Sequence, residues 1–144
     1  MIENVFNNLK ALLKLIKNLS REQRELRDNA LRSISYALNE TYIYYQSIER
    51  GHHRNTDTEE QLSKYWAAAA IPMRHIDKDL AMTCDLKSEY WINPENWDND
   101  RIIEVGIELN DIRKRYRELV RPHFSRTFKT SAQKIEKVKR KGNI

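Results

Sequence analysis

Four stretches of this 144-residue chain carry apolar residues at alternating steps of three and four. That spacing places the apolar side chains on one face of an α-helix, and several such faces can bury one another in a bundle. Three glycines and three prolines are too few for the turns of a β-sheet protein. We therefore predict an all-α protein, an antiparallel up-down-up-down four-helix bundle. The first stripe contains Ile2, Val5, Leu9, Leu12, Ile16 and Leu19, and the last contains Ile102, Val105, Leu109, Ile112, Tyr116 and Leu119.

A capping-box sequence lies between the first two predicted helices. Ser20 and Gln23 have the Ser-x-x-Gln spacing in which each side chain can bond the backbone N–H of the other residue. We therefore expect a first helix that ends near Asn18 and a second that runs to about Glu49. A connection this short would make the two helices an antiparallel hairpin.

The second half of the chain is predicted to contain a kinked helix, an aromatic loop and a final helix. The third stripe, which includes Trp66 as a core anchor, passes through Pro72 in register. Proline removes one helical hydrogen bond, so we expect a single helix with a kink at this point. Residues 86–97 read as a loop, and Asp98 can cap a fourth helix that ends near Pro122.

The positive charge is concentrated at the C-terminal end of the chain. Residues 121–144 hold eight of the 26 basic residues and one of the 21 acidic residues, a net charge of +7, while residues 1–120 have a net charge of −2. We therefore divide the chain into a helical bundle domain, residues 1–122, and a basic tail, residues 123–144, that is flexible or forms a short helix.

Cysteine content and hydropathy indicate a cytoplasmic protein. Cys84 is the single cysteine, so no internal disulfide can form, and we expect it to be buried. No apolar run approaches the length of a membrane span, and charged residues interrupt the first stretch, which excludes a signal-peptide core. The first helix could instead anchor the chain on a membrane surface, but its spacing fits a bundle better.

No pattern of residues indicates a metal or cofactor site. Bundles that hold two iron ions use two Glu-x-x-His motifs. This chain has one such spacing, Glu49 to His52, and Gly51 interrupts it. Three scattered glycines cannot build a phosphate-binding loop. We therefore expect no cofactor and no metal.

A basic ridge on the fourth predicted helix is the candidate nucleic-acid surface. Arg113, Arg117 and Arg121 recur every four residues, so they share one helix face. Such a row can align with phosphates, and it can equally be a solvated face that complements the helix dipole. Basic residues of the tail would extend the surface; these are Lys137, Lys139, Arg140 and Lys141.

Arg117 and His123 are the candidate catalytic pair. They have an Arg-x5-His spacing near the end of a long helix, which resembles the signature of HEPN domains, small helical bundles many of which are RNases. The resemblance covers this motif and the helical architecture. It would imply that both residues act on an RNA 2′-hydroxyl and its adjacent phosphate, in a site shared across a homodimer. Glu118 departs from the small polar residue usual after the arginine, and Pro122 would redirect His123.

The aromatic loop is the candidate surface for a protein partner. Tyr90, Trp91 and Trp97 lie in it, and aromatic side chains provide much of the binding energy at interfaces, although the loop could instead fold over one end of the bundle. Our preferred interpretation is a small cytoplasmic interaction or adaptor protein without enzymatic activity, which binds a protein partner or self-associates. The alternative is an RNA-binding or HEPN-like RNase bundle that uses Arg117 and His123.

Overall fold

The computed structural model describes residues 2–121, and every regular element in that range is helical. The all-α prediction is therefore confirmed for this part of the chain. The predicted basic tail, residues 123–144, lies outside the described residues. The elements are α1 (Ile2–Glu49), α2 (Thr56–Met73), α3 (Lys78–Ile92), a short 3₁₀-helix (Pro94–Asn96), α4 (Asn99–Val105) and α5 (109–121).

Helix α1 is continuous over 48 residues, so the predicted hairpin near Ser20 was wrong. At 1.5 Å per residue the helix is about 72 Å long. Ser20 lies inside it and is exposed. The physical reason is that no glycine or proline occurs between Ile2 and Glu49, so nothing forces the helix to end where a capping sequence would permit a new start.

The predicted kinked third helix is two helices in the structure. Helix α2 ends at Met73, directly after Pro72, and a turn leads to α3. Pro72 has no N–H to donate to the carbonyl of Ala68, which weakens the last turn of α2. The carboxylate of Asp77 then accepts a hydrogen bond from the backbone N–H of Leu80 at 3.0 Å and caps the new helix.

Two further boundaries differ from the prediction. Helix α3 extends to Ile92, so most of residues 86–97 are helical and do not form a loop. The predicted fourth helix is divided at Gly106, which has a φ of +70° and ends α4 in the left-handed conformation. The predicted cap of that helix is confirmed, because Asp98 accepts a hydrogen bond from the N–H of Arg101 at 2.7 Å.

The core lies between the C-terminal part of α1 and helices α2, α3 and α5. Trp66 is fully buried at its centre, as predicted. Its indole N–H donates to Thr41 Oγ1 at 2.9 Å, and the Thr41 hydroxyl donates to the carbonyl of Ala37 at 2.7 Å, so both buried polar groups are satisfied. Other large core residues are Ile34, Leu38, Leu62, Met73, Leu80, Trp91 and Ile112.

Helix α5 runs in the direction opposite to α1. Its Arg113 guanidinium lies 4.7 Å from the ring centroid of Tyr42, and its Leu119 carbonyl accepts a hydrogen bond from Arg27 Nη2 at 2.7 Å. The chain therefore leaves the described residues beside Arg27, the point at which α1 emerges from the core.

Candidate interaction surface

The N-terminal half of α1 is exposed along its whole length. Every residue from 2 to 26 is exposed, and the large apolar side chains among them are 45–77% exposed. Most helix stability in proteins comes from packing of an amphipathic face, and a contiguous exposed apolar face of this kind is typical of an interaction site. These side chains are Ile2, Val5, Phe6, Leu9, Leu12, Leu13, Leu15, Ile16, Leu19 and Leu26.

The exposed face has a heptad repeat. If Ile2 is placed at position a, apolar residues occupy each a and d position through Leu26 except one, which is Gln23. We call this row the α1 seam; it contains Ile2, Val5, Leu9, Leu12, Ile16, Leu19 and Leu26. Phe6 and Leu13 at e and Leu15 at g widen the apolar face beyond the seam.

The basic residues of this segment lie away from the seam. They occupy positions b and f, the positions that stay in solvent when a and d face a partner. The seam can therefore be buried without removing a basic side chain from water. These residues are Lys10, Lys14, Lys17, Arg21 and Arg24.

An open groove lies where the seam meets the folded core. Its volume is about 570 Å³, and its walls come from residues 20–27 of α1 and from the turn between α2 and α3. Leu26 of the seam and Ile76 of the turn both line it, beside the exposed side chain of His75. The groove is therefore of mixed character, because its other lining residues are polar or charged; these are Ser20, Gln23, Arg24 and Arg27.

The predicted aromatic partner surface is mostly part of the fold. The Trp91 side chain is 3% exposed and packs edge-on against Tyr44 and Tyr90, with ring centroids 5.7 and 4.9 Å away. Tyr90 and Trp97 are half-buried around it, and the guanidinium of Arg101 lies 3.9 Å from the centroid of Trp97. Trp91 is therefore not accessible to a partner in this structure.

Lys87 is a buried cation that sequence reasoning missed. It is 2% exposed, and its ammonium donates a hydrogen bond to the carbonyl of Ile107 at 2.8 Å. The ammonium also lies 4.9 and 5.7 Å from the ring centroids of Tyr90 and Trp91. Burial lowers the pKa of Lys87 to about 8. The nearby carboxylate of Glu108 raises this pKa, but by less than burial lowers it. The contact ties α3 to the segment that joins α4 to α5.

A polar network around the buried side chains of Tyr44 and Glu59 holds the loop between α1 and α2. Arg54 donates two hydrogen bonds to the Glu59 carboxylate, at 2.7 and 3.0 Å, and Tyr44 donates a third. The Arg54 bonds lower the pKa of Glu59, while burial raises the pKa of Tyr44. The backbone N–H of Asn55 donates to the Tyr44 hydroxyl at 3.1 Å. Because these groups satisfy one another, the network serves the fold and leaves no free acid–base group.

The predicted basic ridge is only partly available to a ligand. Arg117 and Arg121 are exposed on α5, whereas Arg113 is half-buried on the Tyr42 ring. Within the described residues, two guanidinium groups of the predicted ridge are therefore exposed, one turn apart. The other predicted basic or catalytic residues lie outside the described residues; these are His123, Lys137, Lys139, Arg140 and Lys141.

The described residues contain no assembled metal site. Within residues 2–121 no three His, Cys, Asp or Glu side chains come close enough to hold an ion together. Cys84 is fully buried, and burial raises the pKa of its thiol to about 12, so it behaves as a small apolar core residue. None of the helices in this range has the length and apolar character that crossing a membrane requires.

Comparison of the chain with protein-family models, with curated proteins and with solved structures finds no match.

Proposed function

We propose that this protein is a cytoplasmic helical interaction protein, an adaptor without an enzymatic centre of its own, and that residues 2–26 are its docking element. One observation carries the proposal: an apolar face with heptad spacing projects from the core and is 45–77% exposed at its large side chains. The single cysteine, Cys84, is a buried thiol, which agrees with a reducing compartment.

The energetics support a docking role. Complete burial of one large apolar side chain contributes about 1.5–3 kcal/mol. The ten side chains of this face are at least 45% exposed, so covering them would contribute on the order of 10 kcal/mol before the costs of association. A helix that leaves this much apolar surface in water gains stability from a partner that covers it.

The remainder of the described chain supplies a rigid base for this element. As part of the proposal, the C-terminal part of α1 and helices α2, α3 and α5 form an up-down-up-down bundle. The short connections between α1, α2 and α3 support it, and so do the contacts that set α5 antiparallel to α1. The rigid base would hold the projecting helix at a fixed angle.

Photo-cross-linking in cells tests the docking role. A photoreactive amino acid would replace Leu12 of the seam in one variant and Lys14 of the opposite face in a control variant. We expect covalent adducts with protein from position 12 and few from position 14. Equal yields at the two positions, or no adducts at either, would show that the seam is not a docking surface.

Nucleic-acid binding is the second candidate function. Arg117 and Arg121 are exposed on one face of α5, and residues 122–144 add seven basic residues and one acidic residue. Binding through phosphates would weaken steeply with salt. The variant Arg117→Glu with Arg121→Glu should lose such binding; retention by this variant, or no binding of RNA by the wild type at low salt, removes the candidate. The HEPN-like alternative further requires RNA cleavage that His123→Ala abolishes.

A further inference from the structure

We infer that the partner of the α1 seam is a second copy of this chain, so that the N-terminal helices of two or more copies pack seam to seam. The inference rests on the proposed docking role of residues 2–26 and goes beyond it, because it names the occupant.

The residue pattern of the seam is suited to pairing with itself. Positions a hold Ile2, Leu9 and Ile16, and positions d are mainly leucine, a combination that favours coiled-coil association. Gln23 is the single polar residue at a core position, and such a residue commonly sets the register between identical helices, because its amide can bond the same residue of the partner. A second copy of α1 is therefore sufficient to cover the seam, and no partner of another sequence has to be assumed.

The exposed apolar area agrees with a stable interface. Complete burial of one such side chain removes about 60–120 Å² from water. The ten side chains, each at least 45% exposed, therefore present roughly 500 Å² of apolar surface on one copy. A standard interface takes about 800 Å² from each partner, of which about 60% is apolar, or roughly the same area. One face of α1 is thus large enough for a specific contact.

Charge argues against the chain's own C-terminal segment as the occupant. The last described turn of α5 contacts Arg27 through the Leu119 carbonyl, and the residues that follow it in sequence, 122–144, carry seven basic residues and one acidic residue. Residues 2–26 carry five basic and three acidic residues, so the two segments would repel each other. Two copies of residues 2–26 also carry like net charge, but it is +2 on each copy, against +6 on residues 122–144. In a pair of α1 helices the basic residues lie at b and f of both copies, where they remain in water and are screened by salt.

Sedimentation equilibrium of the full-length chain tests the inference. Over a range of micromolar concentrations we expect the wild type to reach a mass of at least twice the 17.3 kDa of one copy. The double variant Leu12→Asn with Ile16→Asn should remain at 17.3 kDa. The matched control, Lys10→Asn with Lys17→Asn, changes two positions of the same helix on its opposite face and should associate as the wild type does.

Circular dichroism separates loss of association from loss of fold. Leu12 and Ile16 lie outside the core, so the seam variant should keep a cooperative thermal transition. A monomeric wild type, or a seam variant that still associates, would overturn the inference. A monomeric wild type that floats with vesicles of phosphatidylcholine and phosphatidylserine would also overturn it, in favour of a lipid surface. If the wild type is monomeric and position 12 cross-links to a different protein, the proposed docking role is supported and self-association is refuted.

Discussion

Replacement of Lys87 by methionine should change how the stability of the protein depends on pH. Methionine has a similar length and no charge, so it can fill the same buried space without an ionisable group. In the wild type, burial lowers the pKa of Lys87 from 10.5 to about 8, because the low-polarity surroundings disfavour the ammonium. The difference between the two pKa values corresponds to about 3 kcal/mol.

The sign of the effect follows from proton binding. Between about pH 8 and pH 10.5 the unfolded chain holds a proton on Lys87 that the folded chain has released. The unfolded state therefore binds more protons, and the free energy of unfolding rises with pH across this window. Below about pH 8 the free energy of unfolding is reduced by the full cost of burying the ammonium, and above about pH 10.5 this reduction is absent. Lys87→Met removes this titration.

Urea unfolding followed by tryptophan fluorescence at several pH values measures the effect. Burial also raises the pKa of Tyr45 and Tyr90, which lowers stability above about pH 10, so the quantity to compare is the difference between wild type and variant at each pH. We expect the free energy of unfolding of the wild type minus that of Lys87→Met to rise by about 3 kcal/mol from pH 8 to pH 10.5. Lys64→Met, at an exposed position of α2, is the control and should follow the wild type. A difference that is constant with pH would refute the argument that Lys87 is buried at a cost to the fold.

Four further substitutions test the fold. Trp66→Ala and Trp91→Ala should each lower the free energy of unfolding by about 3–5 kcal/mol in urea melts, because both indoles are buried; a small loss for Trp91 alone would place it outside the core. Ser20→Ala should leave stability unchanged or raise it by about 0.5 kcal/mol, since alanine favours a helix interior, whereas a loss of about 1 kcal/mol would reveal a cap at this position. Asp77→Ala should cost about 1 kcal/mol through loss of the α3 cap, and an unchanged thermal midpoint would contradict the two-helix arrangement at this turn.

Several features of the fold were predictable because they depend on local rules. Helical spacing gave the all-α class, Trp66 falls on an apolar stripe that becomes core, and Asp98 caps a helix as its residue type predicts. Each of these conclusions requires only the residues within one or two helical turns. The exposed stripe of α1 was also visible, but the sequence alone did not show that no other part of residues 2–121 covers it.

The structural predictions were wrong where a local sequence signal permits a structure without requiring it. The Ser20 capping box can begin a helix, but with no breaker nearby the helix continues through it. At Pro72 the stripe continues in register on both sides, and only the cap at Asp77 reveals a new helix. The burial of Lys87 does have a signal in the sequence. Helical spacing places position 87 on the same face of α3 as the core residues Leu80, Cys84 and Trp91. Whether a lysine there is tolerated depends on the carbonyl of Ile107, twenty residues further along, which no local pattern predicts.

Amide hydrogen exchange of the full-length chain, measured by mass spectrometry across a dilution series, tests the central claim most directly. Peptides from residues 2–26 should be protected at high protein concentration and lose that protection on dilution, while peptides from the buried part of α1, residues 30–44, should keep theirs throughout. Protection that depends on concentration in this way requires a second chain on the α1 seam. Rapid exchange of residues 2–26 at every concentration, or protection that does not change on dilution, would contradict the account.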